Sequence, residues 1–202
     1  MKKASWILLG IMASAIGLYP ITYFVIDRKF GLLSSKTADL LSDFVWNTGF
    51  YGHILLGGFA LLIGWLQFNK RFRNKNLKLH RRIGKAYILA VLISGFCSLY
   101  IALYATGGIV PQVGFFSLGV VWLTTTYLAY QAIKNGKIER HQKFMIYSYA
   151  ACFAAVTLRI WLPILSNIFG QFLPAYRIVA WLCWVPNMIV AYFIVRKTYN
   201  VS

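Results

Sequence analysis

Residues 44–68 read FVWNTGFYGHILLGGFALLIGWLQF, and this stretch decides the fold. Twenty-five residues pass without an Asp, Glu, Lys or Arg. As a helix they rise about 37 Å, enough to cross a hydrocarbon core about 30 Å thick. Working outward, five further runs meet the same length requirement, at 6–26, 86–105, 114–133, 144–166 and 175–195. Turn residues punctuate the short gaps: Thr106-Gly107-Gly108 with Pro111, Asn135-Gly136, and Gly170 with Pro174. The 202 residues are 59% hydrophobic and 12% charged, about half the charged fraction of a soluble domain. The expectation is an all-α, polytopic membrane protein, a six-helix bundle forming one transmembrane domain over 1–202.

Charge gives an orientation. Twenty-one Lys and Arg face four Asp and Glu, a net +17, and the basic residues fall between the apolar runs. Sixteen belong to the N-terminus, the 70–85 and 134–143 loops and the Arg196-Lys197 end. Four, Arg28, Lys29, Lys36 and Arg177, belong to the opposite side. The positive-inside bias predicts both termini in the cytoplasm. Because the excess alternates with each span, the loops read as topology determinants ahead of an anionic-lipid or nucleic-acid surface, and no nucleic-acid partner is expected. Ala13-Ser14-Ala15 after Lys2-Lys3 has the look of a signal-peptide cleavage site, but apolar sequence continues beyond it, so the first helix is read as uncleaved. Four carboxylates and three histidines leave little for a hydrolytic dyad or a carboxylate metal cage. Cys97, Cys152 and Cys183 lie within spans, form no Cys-x-x-Cys, and read as buried thiols.

Ionisable groups at lipid depth are costly and mark function. His53 lies about 13 Å in from the start of the second span, and Arg159 about 22 Å in from the start of the fifth, which runs the other way. Their depths therefore match, and none of the acidic residues Asp27, Asp39, Asp43 and Glu139 falls in an apolar run. Small residues share helical faces with these groups. The first such face runs His53, Gly57, Ala60, Gly64, Gln67; the second His80, Gly84, Tyr87, Ser94, Ser98; the third His141, Met145, Ser148, Cys152, Ala155, Arg159. Such stripes mean either close helix packing or faces converging on a flat ligand. His80 and His141 open the third and fifth spans from the same side, so they share a level from which two histidines can ligate a haem iron. Their basic neighbours, in His80-Arg81-Arg82 and Arg140-His141-Gln142-Lys143, equally suit phosphate contact. Arg159 reads either as an inward donor to an anion or carbonyl or as a side chain reaching outward to headgroups, with Pro163 four residues on. Asn187, after Pro186, is placed to bind a carbonyl that the proline frees.

The Gly-His of the second span, the run His80-Arg81-Arg82-Ile83-Gly84-Lys85-Ala86-Tyr87 and the run from His141 through Thr157-Leu158-Arg159 resemble the prokaryotic membrane-protein family DUF2306. The likeness extends from about His53 to Pro163. Phe144 stands where that family carries Trp, and Tyr147 where a basic residue is common. The resemblance implies a multi-pass protein of the bacterial cytoplasmic (inner) membrane, marks His53, His80, His141 and Arg159, and supplies no reaction. A looser likeness to cytochrome b561-like bundles rests on helix number and helix-borne histidines.

Three functions are compatible with these residues. The first is a redox-associated protein binding haem b or a quinone, with His80 and His141 as haem ligands and His53 and Arg159 contacting the ligand. The second is a non-catalytic accessory or assembly protein that packs against a partner membrane protein. The third is a transporter of a small anion or lipid. Beyond the lipid bilayer itself, a lipophilic ligand or a partner membrane protein is the expected contact.

Overall fold

The computed structural model describes residues 3–26 and 31–199. Lys2, Asp27, Arg28 and Lys29, which entered the charge reading, lie outside the described residues. Every regular element among the described residues is helical. In chain order they are α1 (Lys3–Leu18), α2 (Thr22–Val25), α3 (Ala38–Ser42), α4 (Phe44–Gly64), α5 (Lys70–Lys75), α6 (Leu77–Ala102), α7 (Ile109–Lys134), α8 (Ile138–Cys152), α9 (Ala154–Phe169), α10 (Phe172–Leu182) and α11 (Val185–Tyr199). Joined across short 3₁₀ turns and breaks, they give six helices of membrane-crossing length and apolarity: Ser5–Val25, Phe44–Phe68, Leu77–Ala102, Ile109–Lys134, Ile138–Phe169 and Phe172–Tyr199. The protein is all-α and polytopic. Large apolar side chains such as Phe96 (66% exposed) and Leu89 (61%) stand on the outside of α6, as lipid-facing positions require.

The second span coincides with its apolar run, whereas the others depart from theirs at one or both ends. Asn76 accepts from Leu79 N at 2.9 Å and starts α6 nine residues ahead of the apolar run at 86. Lys and Arg are good helix formers, so Lys78 to Lys85 continue the helix out of the apolar zone. The same reasoning extends α8 back to Ile138. His80 and His141 therefore sit one turn inside helices. Asp43 caps α4 through Trp46 N at 2.6 Å, and Asn69 caps α5 through Phe72 N at 3.1 Å.

The chain forms two compact units, Met1–Thr106 and Gly107–Ser202, each with three of the six spans. In the first, α1 crosses α4 where Gly17 meets Gly58. A Cβ on Gly58 would lie 2.6 Å from the Gly17 carbonyl oxygen, so the backbones touch at a distance only glycine permits. At one end of this unit Tyr23, Leu33, Leu41, Trp46 and Phe50 form a cluster, with the Trp46 and Phe50 rings stacked at 5.1 Å. Beside it Lys36 Nζ donates to the Tyr104 carbonyl and, at 3.0 Å, to Thr106 Oγ1. This closes the frayed end of α6, where a cation meets the negative end of the helix dipole.

In the second unit α7 packs on α8 and α10, and α11 packs on α8. The fifth and sixth spans are each broken. Phe153 (φ −67°, ψ −10°) separates α8 from α9, and Cys183 with Trp184 separates α10 from α11. Ala154, Val179 and Cys183 form the core between them, packed by Phe115, Leu118, Leu158, Leu162, Leu165 and Trp184. Gly170, at φ +63°, ends α9 in the left-handed conformation that glycine adopts at least cost.

Candidate functional site

The four sequence-marked residues divide between the units, His53 and His80 in the first, His141 and Arg159 in the second. In the first unit the stripes of α4 and α6 pack on one another. His53 meets Ser94, and Gln67 Oε1 lies 3.6 Å from where a Cβ on Gly84 would stand. The packing reading of these two stripes is thus realised. Ser94 is fully buried, and its hydroxyl donates to the His53 carbonyl at 2.9 Å. His53 Nδ1 lies 3.1 Å from Ser94 Oγ and 3.2 Å from the Ser94 carbonyl oxygen. A carbonyl oxygen only accepts, so a proton on Nδ1 completes the contact to the Ser94 carbonyl. Second-contact bonds of this kind fix the tautomer of metal-ligating and proton-handling histidines. Gln67 Nε2 is buried and without a hydrogen-bond partner among the described residues.

His80 is half-buried, one turn into α6, its main-chain N–H on the Asn76 carbonyl at 3.0 Å. His141, half-buried at the same place in α8, directs Nδ1 to the Ala129 carbonyl of α7 at 2.9 Å. A proton on Nδ1 completes this contact too. Below it on α8 Met145, Ser148 and Cys152 are buried. Thr126 Oγ1 lies 2.8 Å from the Trp122 carbonyl and shares a hydrogen bond of 2.6 Å with Ser148 Oγ. Nε1 of Trp122 is buried without a hydrogen-bond partner among the described residues.

Arg159 lies on α9, its Nη1 bonded to the Ala155 carbonyl at 3.0 Å. Arg159 follows His141 by eighteen residues in the membrane-length helix Ile138–Phe169, which is interrupted at the single residue Phe153 with its backbone still right-handed helical.

Sequence reasoning missed the pairing of the two breaks. Thr157, one turn past the first, donates to the Cys183 carbonyl at the second. Asn187, one turn past the second, directs Nδ2 to the Cys183 carbonyl at 3.0 Å, to Thr157 Oγ1 at 3.1 Å and to the Ala150 carbonyl of α8 at 3.3 Å. Pro186 has no N–H to offer Leu182, so backbone polarity at this depth needs side-chain partners. Asn187 binds carbonyls beside the break, those of Cys183 and Ala150, rather than the Leu182 carbonyl that Pro186 frees. The signal that could have found Thr157 is its place four residues after Phe153, at the hydroxyl-bearing step of the Thr157-Leu158-Arg159 run.

Six membrane-length apolar helices, with polar side chains reserved for one another's backbones, define a multi-pass integral membrane protein. A family model described as a predicted membrane protein, DUF2306, matches residues 50–195, which takes in His53, Ser94, the paired breaks and Arg159. The chain belongs to that family. No curated protein and no solved structure matches it, and the cytochrome b561-like likeness gains no support.

Proposed function

We propose that this protein binds a lipophilic redox ligand, haem b or a quinone, through His53. The observation that carries the proposal is the Ser94 clasp, which anchors an imidazole through Nδ1 within an apolar span. Among the described residues no group of three or more His, Cys, Asp or Glu side chains could hold a bare metal ion. A porphyrin brings its own four nitrogens and asks the protein for one or two axial ligands, a demand that lone histidines such as His53, His80 and His141 can meet. Haem would supply one-electron transfer, and a quinone two electrons with two protons. In either case His53 binds or accepts a proton at Nε2 while Ser94 fixes the ring. We propose further that the protein lies in a bacterial inner membrane with both termini cytoplasmic, as the charge bias predicts.

The test is an absorption spectrum of detergent-purified protein from haem-replete cells, before and after dithionite, with a lipid extract assayed for quinone. Soret and alpha bands, or stoichiometric quinone, that disappear in His53→Ala support the reading. Separate His80→Ala and His141→Ala variants report any further axial ligand. A folded, colourless, quinone-free protein overturns it.

A second reading, transport of a small anion or lipid, is favoured by the paired breaks of the fifth and sixth spans, because discontinuous helices line substrate sites in many transporters. Arg159, six residues past the first break, supplies the cation for an anionic group. Flux of a labelled anion or lipid into proteoliposomes, abolished by Arg159→Leu, is its test; no flux above empty vesicles refutes it.

A further inference from the structure

We infer that one end of the second unit is a docking surface for the phosphodiester head group of an anionic phospholipid. Two segments far apart in sequence meet there. Tyr199, at the end of α11, donates its hydroxyl to Gln142 Oε1 of α8 at 2.9 Å, and Lys143 Nζ sits 5.4 Å from the Tyr199 ring centroid. This clasp brings Arg196 and Lys197 beside the first turns of α8, which follow Lys134 of α7 through the Asn135-Gly136 turn. Six cations thus share one end with a single carboxylate among the described residues, Glu139, and that carboxylate is bound to Lys143 at 2.6 Å. Lys137, Ile138, Glu139, Arg140 and Lys143 line a groove of about 410 Å³.

Lys137, the residue before α8, and Arg140 in its first turn put two positive charges at the positive end of the helix dipole, which lowers the stability of α8 unless an anion joins them. Arg140 is held in place, its guanidinium 5.6 Å from the Phe144 ring centroid. The surroundings select the kind of anion. Ile138 in the groove is 60% exposed, and Tyr192, Phe193 and Ile194 of α11 stand outward one to two turns from the clasp. An anion that suits both surfaces carries a phosphate next to acyl chains, as an anionic phospholipid does and a nucleic acid or free phosphate does not. Basic pockets at helix ends bind lipid head groups in this way.

The experiment measures thermal unfolding of the full chain in a neutral detergent, titrated with phosphatidylglycerol, phosphatidylcholine or inorganic phosphate. Phosphatidylglycerol should raise the melting temperature saturably, while phosphatidylcholine and phosphate at equal concentration leave it unmoved. In Lys137→Gln/Arg140→Gln the apparent affinity for phosphatidylglycerol should fall about thirtyfold, each lost charge contributing about fivefold. Lys137→Arg/Arg140→Lys, which keeps both charges, should retain most of it. The control pair Lys70→Gln/Arg71→Gln, exposed in the other unit, should change it by less than about threefold. Equal losses in test and control pairs would mean a diffuse charge effect and overturn the site. A shift produced by phosphate alone would overturn the lipid assignment.

Discussion

Replacing Asn187 tests whether the breaks in the fifth and sixth spans are held as a pair. Its amide has two hydrogens and three oxygens in reach, on Cys183, Thr157 and Ala150, so two bonds form at a time. Intramembrane hydrogen bonds average about 0.6 kcal/mol and reach about 1.7. Asn187→Ala should therefore cost about 1–3 kcal/mol. Thr157→Val removes the second donor to the Cys183 carbonyl and should cost about 0.6–1.7 kcal/mol alone. In the double variant that carbonyl has lost both side-chain partners, so the double cost should exceed the sum of the singles by at least about 0.5 kcal/mol. Unfolding in mixed micelles titrated with dodecyl sulfate, followed by tryptophan fluorescence, gives all four corners of the cycle. Additive costs, or an Asn187→Ala protein as stable as the parent, would show that the two breaks are unconnected.

Four further outcomes follow from the geometry. Ser94→Ala should remove the hydroxyl contact of His53 while the residue-94 carbonyl stays in reach of Nδ1, lowering haem affinity about tenfold in a hemin titration, whereas His53→Ala abolishes binding; equal affinity in Ser94→Ala and parent would deny the hydroxyl a role. Gly58→Val should cost at least about 1–3 kcal/mol in the same micelle assay, since even its first carbon meets the Gly17 carbonyl at 2.6 Å; a neutral result would refute the close crossing. Burial pushes the Lys36 ammonium from 10.5 down to about 8. The unfolded chain holds its proton up to about pH 10.4, so between pH 8 and 10 the folded state sheds it first and the parent should gain stability relative to Lys36→Met, with a flat difference below pH 8; a difference that falls above pH 8 contradicts the desolvated site. A reporter fused at Gly108 should be exported and one at the C-terminus retained, the reverse pattern refuting cytoplasmic termini.

The spans were legible because lipid imposes a single demand, an uninterrupted apolar length, and residues 44–68 meet it without help from any other part of the chain. Their ends were less so. The apolar run stops at 86, but α6 begins at Leu77, because Asn76 and the helix-forming lysines and arginines after it act through backbone hydrogen bonding rather than through hydrophobicity. The break at Cys183 was signalled by Pro186, whereas the one at Phe153 was invisible for a different reason. Phe153 is flanked by alanine and cysteine, with no Gly or Pro in the preceding turn, and nothing in its local preference interrupts a helix. Thr157 and Asn187, thirty residues apart in the chain, bond to one another and to the Cys183 carbonyl, contacts that no local preference announces.

The histidines make the same distinction at the scale of a proton. Helical phase put His53 on a stripe with Gly57 and Ala60, and put Ser94 on a stripe of α6, yet phase says nothing of which stripe meets which. Once the two stripes are seen to meet, a proton on Nδ1 completes the contact to the Ser94 carbonyl, because a carbonyl oxygen only accepts. His141 meets a carbonyl of α7 twelve residues earlier in the chain. The two rings sit in different surroundings, His53 within the apolar run of α4 and His141 among Glu139, Arg140, Gln142 and Lys143 in the first turns of α8, so the same kind of contact, ring nitrogen to a main-chain carbonyl of a neighbouring helix, anchors an imidazole in both.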